Sequence, residues 1–169
     1  MIDFHKNKYR LIAAALVLVL IALGVFAAVR AVRAKRDAAY RESYGQTALY
    51  AGSYTVTYDL YRYFYLNYKA ELKGDYKNDA GETETDALDR AVRARVAEAV
   101  CGLYGMISLA ADYGITPTDG DIRASAIEYI DAVRDYYGAS AYAAELENNY
   151  MTEQVFDFLV RADGTEDKL

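Results

Sequence analysis

The chain has 169 residues, of which 54% are hydrophobic, and it contains a single proline. This composition excludes a disordered or low-complexity protein and allows one domain of ordinary size with a packed core. Beyond residue 30 there are 15 basic and 24 acidic residues, which leaves a net charge of −9. Because such a surface repels phosphate backbones, no nucleic acid is expected as a partner.

The amino-terminal part predicts a membrane anchor. Residues 1–10 form a basic tail, and residues 11–29 are a run of nineteen residues without a charge. As a helix this run spans roughly 29 Å, close to the bilayer hydrocarbon core of about 30 Å. The alternative is a signal peptide cleaved after Ala27, but the run is longer than the 7 to 15 or so apolar residues of that class. We therefore expect a retained single-pass helix that contacts the lipid bilayer.

The segments after the anchor predict helices separated by glycine and polar turns. Residues 30–51 are rich in alanine and predict a juxtamembrane helix that ends at Gly52. A short extended stretch, Ser53–Val56, then leads into a helix with Thr57 as its N-cap and Gly74 as its stop. The polar stretch that follows, Asp75–Thr85, predicts a surface loop.

A long helix is predicted next, over Asp86–Tyr113 with Thr85 as its N-cap. Its apolar residues recur at steps of three and four, which predicts one buried stripe. The stripe comprises Leu88, Val92, Val96, Ala99, Val100, Leu103, Ile107 and Ala110. Gly114 and Ile115 are typical of a Schellman ending.

Three further helices are predicted before a polar tail. The first follows Thr118 as N-cap, has Tyr129 and Tyr137 on its apolar stripe, and ends at Gly138. A short helix, Ser140–Asn148, and a last one follow. In the last, Thr152 is the cap of Glu153–Ala162, with Val155, Phe156 and Leu159 facing inward; residues 163–169 form the tail. The predicted fold is all-α: a transmembrane helix followed by a bundle of five or six helices, with the folded domain over residues 52–162.

The histidine and cysteine residues that most hydrolase mechanisms and zinc sites need are missing from this domain. His5 is the only histidine and precedes the anchor, and Cys101 is the only cysteine. These counts exclude Ser-His and Cys-His catalysis and a zinc site in the domain, so no catalytic residue, metal or cofactor is expected. Asp75–Asp86 lacks the glycine and the final glutamate of an EF-hand loop. Cys101 follows Val100, and we expect it to be a buried small hydrophobe.

The helix after Thr57 has apolar residues on every side. Its tyrosines repeat at i, i+3, i+7 and i+10, and further aromatic and leucine residues cover its other sides. Such a helix is either central in a core or has one face that binds a partner. On the second interpretation, the candidate peptide-binding face comprises Tyr58, Tyr61, Phe64, Tyr65 and Tyr68.

Four segments together resemble the amino-terminal helical domain of the SurA, PrsA and PpiD group of membrane-associated foldases. They are TVTYDLYRYFYLNYKAEL, DYGITPTDGDI, YYGAS and NYMTEQVF, in that order. The resemblance covers about Gly52 to Val160. It implies a SurA-N-like bundle acting as a chaperone module on unfolded or newly secreted polypeptides, held at the cell membrane with its domain on the extracytoplasmic side. Basic residues flank the anchor on both sides, so the flanking charges do not decide this orientation.

Members of that family usually continue into a parvulin domain that isomerises X-Pro bonds, and no residue of this chain corresponds to it. The resemblance therefore does not imply catalysis by this chain itself. Two alternatives remain open: an anchored adaptor or structural protein that docks one specific membrane partner, and a fragment of a longer peptidyl-prolyl isomerase.

Overall fold

The computed structural model of the chain has two units, 1–43 and 44–169. The residues that it describes are 38, 41–78 and 81–169. In the first unit the described residues Ala38, Arg41 and Glu42 are helical. The basic tail, the predicted anchor at 11–29 and the alternative cleavage site lie outside the described residues.

The second unit begins with a β-hairpin. Strand β1, Thr47–Ala51, pairs antiparallel with strand β2, Tyr54–Thr57. Gly52 takes the positive φ of +61° that the two-residue turn requires at its first position. The predicted juxtamembrane helix over 30–51 is therefore wrong from residue 43 onward, where a turn leads into β1. Helix propensity is a weak local preference, and here the pairing of β1 with β2 outweighs it.

The hairpin runs directly into the first of five helices. These are α1 Tyr58–Leu72, α2 Thr85–Asp112, α3 Gly120–Tyr137, α4 Ala139–Asn148 and α5 Glu153–Glu166. The unit is mostly helical, as predicted, but the hairpin makes it not purely α. The helix α1 packs on α2, while α5 packs on α1, α2 and α3, and α4 packs on α3.

Two predicted helix ends are confirmed in detail. After α2, Gly114 adopts φ +76°, its N–H donates to Ala111 O and the Ile115 N–H donates to Ala110 O, which are the two hydrogen bonds of a Schellman motif. Before α5, Thr152 is the N-cap and its hydroxyl accepts a hydrogen bond from Val155 N at 3.1 Å. Both ends depend on hydrogen bonds within a few residues, which is why local sequence predicts them.

Two other helix ends differ from the prediction. The N-cap of α3 is Asp119 and not Thr118. The Asp119 carboxylate turns back to accept hydrogen bonds from the Thr116 hydroxyl at 2.7 Å and from the Thr116 N–H at 3.1 Å. The N-cap of α2 is Glu84, one residue before the predicted Thr85.

The predicted polar tail over 163–169 is also wrong, because α5 continues to Glu166. Gly164 lies against Ile122 of α3: a Cβ at that glycine would be 3.5 Å from the Ile122 Cγ2 methyl. Thr165 is fully buried and donates a hydrogen bond to Arg161 O at 2.7 Å. Contacts with α3 thus stabilise residues whose composition alone favours a frayed end.

The core lies along α2. The predicted stripe is confirmed for Leu88, Val92, Val96, Val100, Ile107 and Ala110, which are buried. Ala99 and Leu103 are only half-buried, and Tyr104 takes the buried position. Cys101 is exposed, so its predicted burial is wrong. Each residue turns a helix by about 100°, which carries the side chain after Val100 off the buried stripe.

Among the described residues, α2 is the one helix long and apolar enough to cross a membrane. It has 28 residues, and its most apolar 18-residue window has a mean hydropathy of 1.3. Length and composition alone are weak evidence, because the core helix of a bundle has the same properties. In this unit α2 contributes the central buried stripe described above.

A buried carboxylate connects the start of α1 with the start of α5. Asp59 lies in the first turn of α1 and is 4% exposed. Its Oδ2 accepts a hydrogen bond at 3.1 Å from the Thr152 hydroxyl, the same hydroxyl that caps α5. Asp59 Oδ1 accepts none from any residue that the structure describes. The Thr152 hydroxyl therefore supplies the one side-chain hydrogen bond by which this charge is held.

We expect Thr152→Ala to lower the free energy of unfolding by about 2 kcal/mol, since it removes a helix cap and a donor to a buried carboxylate at about 1 kcal/mol each. Urea denaturation of the full-length chain, followed by circular dichroism, measures the change. Thr152→Ser keeps the hydroxyl and is the matched control. A loss below about 0.5 kcal/mol for Thr152→Ala would show that the link is unimportant for stability.

Candidate functional site

The predicted peptide-binding face lies along α1 and is half-buried. Tyr58, Tyr61, Phe64, Tyr65 and Tyr68 each keep part of their surface exposed, and all but Tyr58 pack against the core. The structure brings these four together in two stacked ring pairs. Tyr61 and Tyr65 have ring centroids 5.9 Å apart, and Phe64 and Tyr68 have centroids 6.3 Å apart. Packing against α2 thus uses much of the surface that the face could offer.

Polar contacts hold the Tyr65 end of this face in place. The Tyr65 hydroxyl donates a short hydrogen bond to the Asp89 carboxylate of α2, which also pairs with Arg93 at 2.9 Å. Lys69 lies over the Tyr65 ring, 5.3 Å from its centroid. The hydrogen bond to Asp89 raises the pKa of Tyr65 to about 12 and lowers the pKa of Asp89. This hydroxyl is therefore committed to joining α1 and α2.

A second aromatic surface lies between α3, α4 and the start of α5. It is an open groove of about 460 Å³. We call it the aromatic groove. Its lining residues are Tyr129, Ala132, Val133, Tyr136, Tyr137, Tyr142, Glu145, Leu146, Asn149, Met151 and Phe156.

The aromatic rings of the groove form a floor and an open rim. Tyr142 is buried, and its ring centroid lies 6.3 Å from the ring centroid of Phe156. The ring centroid of Tyr129 lies 6.4 Å from that of Phe156. The rim is exposed: Tyr136 is 84%, Tyr129 54% and Tyr137 48% exposed. A monomer that leaves such neighbouring rings in water presents a surface suited to a partner.

The backbone turns at the two ends of α4 set the groove's shape. Gly138, between α3 and α4, has φ +76° and ψ 149°, a conformation open essentially to glycine alone. At the other end Tyr150 takes φ +57°, although it is not a glycine. The N–H groups of Tyr150 and Met151 donate to Glu147 O and Leu146 O, so α4 closes with a Schellman motif that brings Met151 to the groove.

The strained Tyr150 is held by contacts from α1. The Arg62 guanidinium lies 5.9 Å from the centroid of its ring and donates to its carbonyl oxygen at 3.5 Å. The Asn67 side chain donates to Asn149 O at 3.3 Å. A left-handed backbone costs a residue with a Cβ about 1 kcal/mol or more, and these contacts offset that cost.

The groove has an acidic surround. Residues 128–153 include six carboxylates and one arginine, a net charge of −5, and all six carboxylate side chains are exposed. Arg134 already pairs with Asp131 at 2.9 Å and with Glu153 at 3.4 Å, and it lies over the Tyr142 ring at 5.3 Å. The other carboxylates, including Glu145 on the groove wall, form no ion pair with any described residue.

The aromatic groove was not predicted from the sequence. Tyr129, Tyr137 and Phe156 were expected on inward faces, but the two tyrosines are about half exposed and Phe156 is half-buried at the groove. The available signal was the density of five tyrosines between residues 129 and 150, beside few large aliphatic residues. Tyrosine repeats at helical spacing fit a core stripe and an open rim equally well. Only the position of α4 decides between them.

Among the described residues, no three His, Cys, Asp or Glu side chains are grouped so as to hold a metal ion. The buried polar atoms near the groove include the Tyr142 hydroxyl, which has no hydrogen bond of good geometry with any described residue. Burial, followed by the negative charge of Glu153, raises the pKa of Tyr142, while the nearby Arg134 lowers it. This hydroxyl stays neutral at physiological pH.

We expect Tyr65→Phe to lower the thermal midpoint by about 3 °C at neutral pH, because Asp89 loses a hydrogen-bond donor. The lowered pKa of Asp89 means that this contribution is present above the ordinary carboxyl pKa and is lost as pH falls through the folded-state value. The difference between variant and parent should therefore vanish in strong acid. Thermal melts of both proteins between neutral pH and pH of about 2 test this. A difference that persists in strong acid contradicts it.

A second prediction concerns Tyr142. Tyr142→Phe removes a buried hydroxyl that lacks a hydrogen-bond partner of good geometry. The free energy of unfolding should therefore stay unchanged or rise by up to about 1 kcal/mol, and the thermal midpoint should not fall. Tyr104→Phe is the contrasting variant, because the Tyr104 hydroxyl donates to Thr55 O at 3.1 Å and its removal should destabilise the unit. Thermal melts of the two variants give the comparison, and a clear loss of stability in Tyr142→Phe is the contrary result.

The chain has no recognised relative in the comparisons made. Matching it against protein-family models, curated proteins and solved structures gives no match in any of the three. The resemblance to the SurA-type domain and the peptide-binding role of the α1 face therefore stay predictions.

Proposed function

We propose that this protein is a membrane-anchored, extracytoplasmic chaperone-like module that binds unfolded or translocating polypeptides in its aromatic groove. The observation that carries the proposal is the groove itself: an open apolar surface of about 460 Å³ with three exposed tyrosines on its rim. The bilayer is contacted through residues 11–29 and the folded unit is of the SurA-N type.

The composition of the groove suits clients of varied sequence. Tyrosine and phenylalanine offer large contact area at a low cost in side-chain entropy, and a tyrosine hydroxyl can bond to any passing peptide group. Met151 adds a flexible apolar side chain that adapts to irregular partners. The volume lies within the range of sites that hold a few side chains, and the open rim lets the rest of an extended chain leave.

The α1 face is the less adaptable of the two surfaces. Tyr65 is bonded to Asp89, and Arg95 lies over the Tyr68 ring at 5.8 Å, so binding there requires contacts with α2 to be given up. We therefore assign Tyr58, Tyr61, Phe64, Tyr65 and Tyr68 a secondary place in client binding.

The likeness to the SurA-type domain supports the proposal through the order of its elements. In this chain an extended strand precedes a helix after Thr57, a long helix ends at Gly114 and Ile115, and Thr152 begins a last helix. These are the positions on which the sequence resemblance depends.

A client-protection experiment tests the function. Full-length protein in phosphatidylcholine nanodiscs should slow the aggregation of a chemically unfolded client, measured by light scattering. Tyr129→Ala with Tyr136→Ala should weaken client binding about tenfold or more, because central exposed aromatics dominate such interfaces. The matched control is Tyr50→Ala with Tyr113→Ala, which removes two tyrosines that are each 71% exposed outside the groove.

The α1 face is compared in the same assay through Tyr61→Ala. We expect it to reduce protection less than the groove variant does. If the parent protein gives no protection, the proposed function is wrong. If protection is lost only in Tyr61→Ala, polypeptides bind the α1 face and not the groove. Stoichiometric capture of one membrane protein, without binding to unfolded clients, would favour the adaptor alternative.

A further inference from the structure

We infer that the aromatic groove selects apolar or aromatic peptide segments that are flanked by lysine or arginine. This inference rests on the proposed function and narrows its client class. Hydrophobic contact by itself does not distinguish a segment with basic flanks from one with acidic flanks. The charges around the groove distinguish basic flanks from acidic ones.

The acidic surround carries the inference. The stretch 128–153, which supplies every lining residue except Phe156, has a net charge of −5, and its single cation is already paired. Glu145 lies on the groove wall, where its Oε1 accepts a hydrogen bond at 3.0 Å from the Asn149 side chain. Asp135 directly precedes Tyr136, the most exposed of the rim tyrosines, and is itself exposed.

An apolar segment seated on the rings extends its flanks past these carboxylates. Lysine and arginine flanks gain attraction there, and their aliphatic stems and cationic ends also pack on tyrosine faces. Glutamate or aspartate flanks meet like charges, and such juxtaposition is a common source of specificity in recognition. The same charges disfavour an anionic lipid surface as the occupant of the groove.

Three peptides with one apolar core test the inference. The core is Leu-Phe-Leu-Phe, with two lysines, two serines or two glutamates at each end, and binding to the full-length protein in phosphatidylcholine nanodiscs is followed by fluorescence anisotropy after subtraction of empty nanodiscs. The lysine peptide should bind about tenfold more tightly than the glutamate peptide at low salt, from a few exposed charge pairs. The ratio should fall as added salt screens the charges.

Two charge variants locate the source of the preference. Asp135→Asn with Glu145→Gln should reduce the lysine-to-glutamate ratio to about threefold or less. Asp112→Asn with Glu166→Gln removes the same number of exposed carboxylates outside the acidic stretch 128–153 and should leave the ratio unchanged. If both variants reduce it equally, the preference arises from total charge and the inference is overturned.

The outcomes separate this inference from the proposed function. If the serine peptide binds but the lysine and glutamate peptides bind equally well, the selection is wrong and polypeptide binding stands. If none of the three peptides binds, the proposed function fails with it. A dimer that Tyr136→Ala dissociates would identify a second copy of this chain as the occupant and would also overturn the inference.

Discussion

The buried carboxyl group of Asp59 links the start of α1 to the start of α5. It lies in the first turn of α1, where the aligned peptide dipoles favour a negative charge, and it accepts a hydrogen bond from the residue that caps α5. Burying a polar group costs free energy unless it forms a hydrogen bond, so this contact stabilises the link between the two helices. This hydrogen bond joins α1 to α5, which also packs on α2 and α3 and contributes Phe156 to the aromatic groove.

The two aromatic surfaces of the unit differ in how far their rings are already used in contacts within the unit. On α1 the tyrosines are packed on α2, stacked on one another and, at Tyr65, bonded to a carboxylate. In the groove Tyr142 and Phe156 form the floor, whereas Tyr136 and Tyr137 are exposed and their rings meet edge to face with centroids 5.1 Å apart. Aromatic content alone therefore says little about function. What distinguishes the groove is that no other described element covers its rim.

Local sequence predicts those parts of the fold whose causes are local. The Schellman ending at Gly114 and the Thr152 cap each depend on contacts within a turn of helix and are confirmed, and the spacing of the α2 stripe correctly places six of its eight residues in the core. The hairpin strand after Gln46 and the helical end around Thr165 were missed, because pairing with β2 and packing against Ile122 decide them. Such contacts join residues that are distant in sequence and leave no periodic mark.

The candidate site was missed for a related reason. The tyrosines of α3 have the spacing of a core stripe, and a helix pattern shows which residues share a face without showing whether a neighbour covers that face. Whether a neighbouring helix covers the tyrosines of α3 depends on the direction that the chain takes at Gly138, between α3 and α4. The presence of an acidic helical domain was open to prediction, whereas the location of its exposed rings required the fold.

Tyr150 connects the end of α4 to α1. Its left-handed backbone is strained at the very end of the helix. Arg62 and Asn67 of α1 contact Tyr150 and the neighbouring Asn149 and stabilise this turn. Because Asn149 and Met151 on either side of Tyr150 line the groove, these contacts join one wall of the groove directly to α1.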